Sequence, residues 1–416
     1  MEKWDNRSKW RLACAVMCLI GIAWLFNSIP LGILPITFHI RHADDAGSTV
    51  EMMRTVANSS NAFGIDLYNK LNANQSNIFF SPWSISSSMM IVREGARGQT
   101  ADEIASVFYL GAVETWRPNY AGIYNVLHNT REYTLRSVNA LWYEQTRAMN
   151  AEYVRTIDRY YCGDIRKLDF LHQPDAAGEQ INNWVEEATE HKIQDIVNPC
   201  DIQPSTPYVI TNALYFAAAW KHQFDPEKTG NATFYGPATN VTVPFMRYDE
   251  SPVLNYTEND VMQMVELPYK GGQISMFVVL PKQDMTVLGT HLSTSNLTSW
   301  ENGMVAMEVD VRLPSFTLEA TYDLKKKLIE MGMPAAFSLA DLSGIDGGHD
   351  TFLEIVTHKA FISVDELGTE AAAATVVIPG FGVPLHFTAN HPFFFYIRER
   401  ITGAMMFIGA VQNPAI

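Results

Sequence analysis

Residues 366–383 read Glu366-Leu-Gly-Thr-Glu-Ala-Ala-Ala-Ala-Thr-Val-Val-Ile-Pro-Gly-Phe-Gly-Val383, and the local preferences of this stretch conflict. Its four alanines favour a helix, whereas the β-branched run from Val376 to Ile378 favours a strand. Pro379 and Gly380 end any helix that begins there. Because small side chains need little repacking when a backbone moves between existing strands, the segment is suited to two conformations. A low-complexity surface loop is the alternative that this window leaves open.

The composition of the chain indicates a large folded core and argues against a nucleic-acid partner. Of the 416 residues, 47% are hydrophobic and 12% are aromatic, which is enough apolar material for a sizeable core. The formal net charge is -15, and no run of lysine and arginine is long enough to follow a phosphate backbone. We therefore expect a globular protein that does not bind nucleic acid.

The first 40 residues carry the pattern of an export signal. Basic residues up to Arg11 precede an uncharged run over residues 12–38, whose part up to Phe26 is almost wholly apolar. This run is long enough to span a bilayer, which takes about 20 helical residues, and no small-residue cleavage site closely follows Phe26. We interpret residues 1–40 as a signal peptide or, preferably, an uncleaved signal anchor, with the remainder of the chain extracellular, secreted or held at the outer face of the membrane. Residues 41–54 are interpreted as a linker.

Cysteines and glycosylation sequons are compatible with an extracellular protein. Four cysteines are too few for a disulfide scaffold, and two of them lie in the N-terminal apolar run. Cys162 and Cys200 remain, either as a disulfide pair or as two separate buried thiols. Asn-x-Ser/Thr sequons, which would lie on a glycosylated surface, occur at Asn58, Asn74, Asn231, Asn240, Asn255 and Asn296.

The sequence contains none of the common catalytic motifs. It has no Gly-x-Ser-x-Gly elbow, no phosphate-binding loop with Gly-Lys, no His-Glu-x-x-His and no dinucleotide fingerprint after a strand. Glu186, Glu187, Glu190 and His191 fit a solvated helix face better than a metal site, because no second ligand motif accompanies them. We expect no enzymatic activity, no metal and no cofactor.

Hydrophobic periodicity predicts helices mainly in the first half of the chain and strands mainly in the second. A four-residue repeat at Phe63, Leu67 and Leu71 predicts an amphipathic helix, and Ser81-Pro82 predicts the cap and first residue of the next one. Residues 98–103 predict a turn followed by a helix with a capping box. Further helices are predicted over 181–196 and 321–331, and strands over 77–80, 135–144, 208–216, 261–268, 273–280, 304–313 and most of the C-terminal part. We expect one α+β domain over residues 55–416.

Many short motifs, in a fixed order over about 360 residues, resemble those of the serpin family. They are Asn77-Ile-Phe-Phe-Ser-Pro-Trp-Ser-Ile85, Gly95-Ala-Arg-Gly-Gln-Thr100, Thr211-Asn-Ala-Leu-Tyr-Phe216 with Trp220, Glu266-Leu-Pro-Tyr269, Leu313-Pro-Ser-Phe316, Tyr322-Asp-Leu324, Met331-Gly-Met333, His358-Lys-Ala360, Val364-Asp-Glu366, Gly368-Thr-Glu-Ala-Ala-Ala-Ala-Thr375 and His391-Pro-Phe393. The resemblance implies a serpin fold with three β-sheets, about nine helices and an exposed reactive-centre loop near residues 366–383.

The resemblance also implies a suicide mechanism. A target protease cleaves the loop and forms an acyl-enzyme, and the loop then inserts as a new strand into the central sheet and carries the protease with it. Such a fold is kinetically trapped, with insertion as its stored driving force. The likeness predicts an inhibitor of an extracellular serine endopeptidase that forms a covalent complex and is itself a monomer.

Individual residues match the family's functional regions. The hinge of inhibitory serpins is matched by Gly368, Thr369, Glu370, Ala371, Ala372, Ala373, Ala374 and Thr375, and we expect Thr369, Ala371 and Ala373 to turn inward on insertion. Ser81, Ser84, Asn212 and His358 match the shutter region under the central sheet, and Trp220 matches the breach where insertion begins.

The scissile bond is predicted with one alternative. Counting back from Asn390 places cleavage at Phe381-Gly382, whereas counting forward from Glu366 places it at Gly382-Val383. We favour Phe381-Gly382, because phenylalanine fills a hydrophobic protease pocket and glycine offers nothing to hold. This bond predicts a chymotrypsin-like target. A papain-like cysteine protease target and a binding or chaperone serpin that does not insert are the alternatives.

Overall fold

The computed structural model describes residues 41–72, 76–349, 351–369 and 384–415. These residues contain ten α-helices, close to the expected nine, and two short 3₁₀ turns, Pro199–Asp201 and Pro334–Phe337. The α-helices are α1 (Val50–Leu71), α2 (Pro82–Gly95), α3 (Gly98–Val107), α4 (Val113–His128), α5 (Ala151–Tyr161), α6 (Pro174–Ala188), α7 (Met285–His291), α8 (Thr294–Asn302), α9 (Lys325–Met331) and α10 (Ser343–Asp346).

Sixteen strands make up the sheets of the described chain. They are β1 (Ile78–Phe80), β2 (Tyr133–Glu144), β3 (Asp164–Leu168), β4 (Tyr208–Ala219), β5 (Gly230–Tyr235), β6 (Asn240–Arg247), β7 (Val253–Glu258), β8 (Met262–Pro268), β9 (Ile274–Pro281), β10 (Val305–Pro314), β11 (Phe316–Asp323), β12 (Leu353–Val364), β13 (Gly368–Thr369), β14 (Leu385–Thr388), β15 (Phe393–Glu399) and β16 (Met405–Val411). The α+β class expected from the sequence is confirmed.

The central sheet has six strands in the order β11-β12-β4-β2-β3, with β13 also paired to β4. Strand β4 runs antiparallel to β2 on one edge, from Tyr133 opposite Ala218 to Tyr143 opposite Tyr208. On its other edge β4 runs parallel to β12, where residues 208–215 pair with residues 353–361. We call this parallel junction the seam.

The larger hydrogen-bonded network has ten strands and joins two of the three expected sheets. Strand β10 causes the junction, because its first residues pair with β7 while Val309–Pro314 pair with β6 and β14. The strands therefore form two continuous networks rather than three separate ones. The pairings of β10 still divide the larger network into a part with β7 and a part with β6 and β14.

Strand β4 is buried along its whole length, which explains its unbroken apolar sequence. One face, with Ile210, Leu214 and Phe216, belongs to the main core. The opposite face, with Val209 and Ala213, packs in a second core with α6. The central sheet is thus covered on both sides, so any new strand must fit between two packed layers.

Helix α6 ends at Ala188, eight residues before the predicted end at Ile196, and it begins at Pro174 rather than at Ile181. Glu190, His191 and Asp195 have left-handed backbone conformations, with φ of 54°, 61° and 48°, which a helix cannot continue through. The prediction missed this end because the apolar spacing continues beyond it.

The segment after α6 is attached to the outer face of the central sheet. Arg136 of β2 pairs with Glu190 at 2.5 Å, and the Nζ of Lys359 on β12 donates to the carbonyl of Gln194 at 2.7 Å. Lys192 lies 5.6 Å from the centre of the Tyr215 ring on β4. Polar contacts from three strands therefore hold this segment across the seam. No cluster of three metal-ligating side chains occurs in the described chain.

Two predicted helix starts are wrong in detail. Helix α3 begins at Gly98, but Thr100 does not cap it; the Thr100 hydroxyl instead accepts a hydrogen bond from the backbone N–H of Asp341. The helix predicted from Thr321 begins only at Lys325, because residues up to Asp323 continue β11. In both places a tertiary partner overrides a local signal.

Other predictions from local signals are confirmed. Phe63, Leu67 and Leu71 lie on α1, and the Ser81 hydroxyl caps α2 by accepting the N–H of Ser84. Both cysteines are free thiols, as the second alternative expects, but only Cys162 is buried, whereas Cys200 is exposed.

The segment interpreted as a linker is attached to the folded body. The N–H of Ala43 donates to the side chain of Asn125 on α4, and Asp44 pairs with Arg159 on α5. None of the helices in the described part is both long and apolar enough to cross a membrane. The predicted signal or anchor segment, residues 1–40, lies outside the described residues.

Candidate functional site: the hinge entrance and the seam

The start of the hinge lies within the central sheet. After β12 ends at Val364 the chain turns, and Gly368–Thr369 return as β13, antiparallel to Ala218–Ala219 of β4. Asp365 closes this turn: its side chain accepts hydrogen bonds from the N–H groups of Leu367 and Gly368, at 2.9 and 3.1 Å. Its own N–H donates to the carbonyl of Gly368 at 3.0 Å.

The edge of β4 that β13 occupies is the edge of the seam. Strand β2 already covers the other edge, up to Tyr133 opposite Ala218. On the seam side, β12 pairs with β4 only as far as Phe361 opposite Tyr215, which leaves the end of β4 open. Strand β13 fills this opening. The first two residues of an additional strand therefore already lie between β4 and β12.

Gly368 is required by the close approach of two backbones. Its φ is +152°, which side-chain-bearing residues rarely adopt, and a Cβ at this position would lie 2.2 Å from the carbonyl oxygen of Ala218. The same Cβ would lie 2.9 Å from the backbone nitrogen of Trp220. Only glycine lets the chain enter the sheet here without moving β4.

Trp220 anchors the turn from below. Its backbone N–H donates to the carbonyl of Leu367 and its indole N–H to the carbonyl of Asp365, each at 3.0 Å. The indole stacks on the Tyr269 ring with centroids 4.4 Å apart. The Tyr269 hydroxyl is 3.0 Å from the hydroxyl of Thr369, which is fully buried. Thr369 therefore already faces inward in this structure, and its position after insertion stays a prediction.

The side chains matched to the shutter meet at the seam. The N–H of Ser81 donates to Nε2 of His358 at 3.0 Å, and His358 Nδ1 is hydrogen-bonded to the side-chain oxygen of Asn212. The Asn212 amide donates to the carbonyl and hydroxyl oxygens of Ser84, at 2.8 and 2.6 Å. Because Asn212 belongs to β4 and His358 to β12, their hydrogen bond spans the junction that an inserting strand must open.

Asn139 is a further member of this group that the sequence analysis missed. It lies on β2 directly opposite Asn212, and its side-chain oxygen accepts hydrogen bonds from Asn212 and from the Ser84 hydroxyl. The signal for Asn139 in the sequence was its polar side chain between the apolar residues Val138 and Ala140. We call Ser81, Ser84, Asn139, Asn212 and His358 the shutter cluster. Tyr269 and Asp365 at the hinge entrance were missed in the same way.

The imidazole of His358 is neutral. Complete burial lowers its pKa to about 3. Because Nε2 accepts from the Ser81 N–H, the proton resides on Nδ1, from which it is donated to Asn212. A second proton on Nε2 would oppose the Ser81 donor, so protonation and the intact shutter cluster are incompatible.

The other predicted site residues are not among the described ones. Glu370 to Thr375 of the hinge, and both candidate scissile bonds at Phe381, Gly382 and Val383, lie outside the described residues. The chain is described again from Pro384 and pairs with β10 in parallel from Leu385 onward. Of the predicted residues, Trp220, Gly368 and Thr369 meet at the hinge entrance, and the other four that are described meet in the shutter cluster.

Substituting Gly368 by alanine should expel β13 from the sheet. We expect faster hydrogen exchange at the Thr369 amide and a change in Trp220 fluorescence, because the new Cβ collides with the Ala218 carbonyl. Gly230→Ala is the matched control, since a Cβ there meets nothing within 4 Å. Equal exchange at Thr369 in both variants would contradict the assignment of a steric role to Gly368.

Acid should destabilise the protein through His358. Its pKa is about 6.5 when unfolded and about 3 when folded, so its contribution is complete above pH 6.5 and decreases as the pH falls towards 3. The loss is at most about 1.4 kcal/mol per pH unit. Urea unfolding midpoints between pH 7 and pH 5 measure this slope.

Two variants isolate that contribution. His358→Gln should unfold at a lower urea concentration at pH 7 but with a shallower dependence on pH. His386→Gln is the surface control, because it removes an exposed imidazole on β14 and leaves the shutter cluster intact. Buried His128, whose pKa burial lowers to about 4, supplies a residual slope in both. A His358→Gln protein with the parent slope would rule out this imidazole as the cause.

Comparison with known proteins gives one consistent result. The family model for "Serpin (serine protease inhibitor)" matches residues 58–414. An uncharacterized serpin-like protein of Thermococcus kodakarensis is 39% identical over 373 residues, covering 87% of this chain and 86% of that protein. The leukocyte elastase inhibitor of Homo sapiens is 34% identical over 380 residues, covering 87% of this chain and all of that protein.

Solved structures agree. The crystal structure of human thyroxine-binding globulin complexed with thyroxine superposes with a TM-score of 0.79 at 28% identity, covering 87% of this chain and 99% of that one. The family match extends over most of the domain, including the seam, the hinge and the shutter cluster. The chain belongs to the serpin family.

Proposed function

We propose that this protein inhibits a serine endopeptidase as a single-use substrate, through cleavage and insertion of the loop that follows Thr369. The observation that supports this most directly is the position of β13, which enters the seam at its open end and pairs with β4. A loop that begins as a paired strand can continue down the seam without changing its direction or register.

If the ladder of β13 continues along β4, its register fixes which loop residue would lie opposite each residue of β4. Thr369 lies opposite Ala218, so in a continued antiparallel ladder Ala371 meets Phe216 and Thr375 meets Asn212. Pro379 then lies opposite Tyr208, the first residue of β4. The segment up to Pro379 therefore matches the length of β4, and its proline stands where the ladder ends and no further N–H is needed.

The alternation of side chains suits the two layers that enclose the sheet. Directly opposite residues of an antiparallel pair share a face, so Ala371, Ala373 and Thr375 would face the main core with Phe216 and Leu214 of β4. Methyl and hydroxyl groups require the least displacement of packed neighbours there. Thr375 would reach Asn212 with a hydroxyl that can replace a hydrogen bond lost from His358.

Opening the seam has a cost, which insertion offsets. The parallel ladder between β4 and β12 and the His358–Asn212 hydrogen bond must break. The incoming strand is antiparallel to both neighbours and forms a ladder on each edge, and antiparallel pairing is slightly more stable per residue than parallel pairing. The shutter cluster thus contributes to the barrier, and the added strand contributes the driving force.

The chemistry up to this point is ordinary proteolysis. The serine hydroxyl of the protease attacks the carbonyl carbon of Phe381, the Gly382 amine leaves with the proton, and Phe381 remains as an ester on the protease. Insertion then moves the ester away from the hinge entrance with the protease attached. Displaced catalytic groups no longer hold water in the attacking geometry, and the ester persists.

The scissile bond indicates the target class. Phe381-Gly382 suits the hydrophobic primary pocket of a chymotrypsin-like enzyme. Cleavage at Gly382-Val383, or after Ile378 or Val377, would instead indicate an elastase-like or subtilisin-like protease. The human leukocyte elastase inhibitor among the relatives is named for an elastase, which makes that class the first alternative to test.

Two other functions share parts of this structure. Inhibition of a papain-like cysteine protease would use the same hinge and the same seam, with a thioester in place of the ester. A binding or chaperone serpin that does not insert is the other alternative, and thyroxine-binding globulin, solved in complex with thyroxine, shows that a protein of similar fold can bind a small ligand. The small hinge side chains and the paired β13 favour insertion over this second alternative.

We further propose that the protein acts outside the cell as a monomer, secreted or anchored through residues 1–40. The basic flank and apolar run of the N-terminus support export. Asn231 and Asn240 are exposed on the β5–β6 hairpin and available to a glycosyltransferase. The Asn255 side chain is already engaged, donating to the carboxylate of buried Glu266 at 2.6 Å, so this sequon is a poor acceptor.

Incubation with chymotrypsin, a pancreatic-type elastase and subtilisin tests the mechanism. We expect a complex that survives denaturing electrophoresis with chymotrypsin, and mass spectrometry should find a released peptide that begins at Gly382. Thr369→Arg should yield cleavage without a complex, because Thr369 is already buried at the hinge entrance, and an unpaired charge there costs several kcal/mol and expels the start of the inserting strand from the seam.

Thr321→Arg is the control for that substitution, since Thr321 is an exposed threonine on β11 of the same sheet. It should form the complex as the parent does. Cleavage of the parent without any complex would exclude the inhibitor function. Complex formation by Thr369→Arg at the parent level would exclude insertion while leaving protease binding intact.

A pair of neighbouring substitutions tests the register. Ala371→Glu places a carboxylate on the core face of the inserted strand and should raise the number of inhibitor molecules used per protease by more than about tenfold. Ala372→Glu lies opposite Tyr215 on the outer face, where Lys192 is close, and should change that ratio by less than about twofold. The reverse order of the two effects would show that the strand inserts in the other register.

A further inference from the structure

A cavity outside the hinge and the seam opens between the end of α1, the start of α7, the β5–β6 hairpin and the segment before β15. Its volume is about 670 Å³, within the range of small-molecule sites. It shares no lining residue with the hinge entrance or the shutter cluster. The cavity has no role in the proposed loop insertion.

The cavity is lined by neutral hydrogen-bonding groups. Asn69, Asn72 and Gln412 present amides, and Thr290 presents a hydroxyl. Among the described lining residues there is no lysine or arginine. The carboxylate of Asp284 is occupied in capping α7, where it accepts the N–H groups of Thr286 and Val287 at 2.8 and 2.9 Å. The lack of a lysine or arginine among the described lining residues disfavours an anionic ligand.

Gln412 gives the cavity a side-chain amide on a firmly held residue. The residue is only 4% exposed, and its backbone N–H donates to the side chain of Asn77. Its side chain lines the cavity. A planar amide presents a donor and an acceptor side by side, which matches two neighbouring hydroxyls.

An exposed aromatic ring stands at the same cavity. Tyr235 is 53% exposed, whereas its neighbour Phe234 is buried in the core. Tyr235 is also the register partner of Asn240, the exposed first residue of an Asn-Val-Thr sequon. Opposite residues of an antiparallel pair lie on one face with Cβ atoms about 5 Å apart. A sugar attached to Asn240 would therefore begin beside the Tyr235 ring.

We propose that this cavity binds a neutral saccharide unit. The amides of Asn69, Asn72 and Gln412 pair with its hydroxyls, and the ring of Tyr235 packs against its C–H face. The same chemistry has two sources: a glycan carried by Asn240 of this chain, or a glycan of another molecule. Either source would place carbohydrate at a site independent of the reactive loop.

Unglycosylated protein from a bacterial host tests the site itself. Saturation-transfer NMR and titration with N-acetylglucosamine, its β1,4-linked disaccharide and maltose should detect binding of at least one of them. Tyr235→Ala should weaken that binding about tenfold. Tyr109→Ala removes an equally exposed tyrosine that does not line the cavity and should have no effect. A sulfated disaccharide should not compete.

Absence of binding by all three saccharides, or equal binding by Tyr235→Ala and Tyr109→Ala, would overturn the proposal. Thr242→Ala then distinguishes the sources in protein secreted from glycosylating cells, because it removes the Asn240 sequon. If the attached glycan fills the cavity, only Thr242→Ala binds free saccharide. If the ligand comes from another molecule, both secreted forms bind it. Protease inhibition, measured on the same samples, reports separately on the proposed function.

Discussion

The parallel junction between β4 and β12 is the constraint on which the rest of the structure depends. It is the place in the central sheet where two long strands can separate to admit a third, because β4 is already paired to β2 on its other edge. The hinge enters at its open end, and the shutter cluster crosses it lower down. The segment after α6 crosses it on the outer face.

These contacts place a barrier along one line of the molecule. At the top, Gly368 and Trp220 hold the first two residues of the new strand in position. Further down, a neutral buried histidine joins the two strands through Asn212. In the proposed mechanism the two sites have opposite effects, since the first would start insertion and the second would resist it. A metastable inhibitor needs both, because a loop that inserts before cleavage is lost as an inhibitor.

The burial of the shutter cluster explains why polar residues are tolerated in an otherwise apolar region. Ser84, Asn139 and Asn212 satisfy one another, and His358 completes the group as a neutral acceptor and donor. Such a network has a defined geometry that apolar packing would not impose. It can be broken and re-formed with a new partner, which suits a junction that opens once.

Much of this could be predicted from the sequence alone. Ordered motifs identified the family, and the apolar pattern placed α1, β2 and β4. Local chemistry was sufficient to predict these elements, because their local structure depends on residues that are neighbours in the chain. The ends of α6 and the start of α9 were missed, since loop and strand partners far away in sequence decided them.

Only the tertiary structure decided which edge of β4 the hinge occupies and which residues meet across the seam. Asn139, Tyr269 and Asp365 acquire their roles from partners 73, 100 and 145 residues away. The hydrophobic periodicity of the sequence does not predict contacts between residues so far apart, because strand pairing is set by the packing of the whole sheet. The sequence by itself determined that a small-residue segment could insert. The fold determined where it enters and what it must displace.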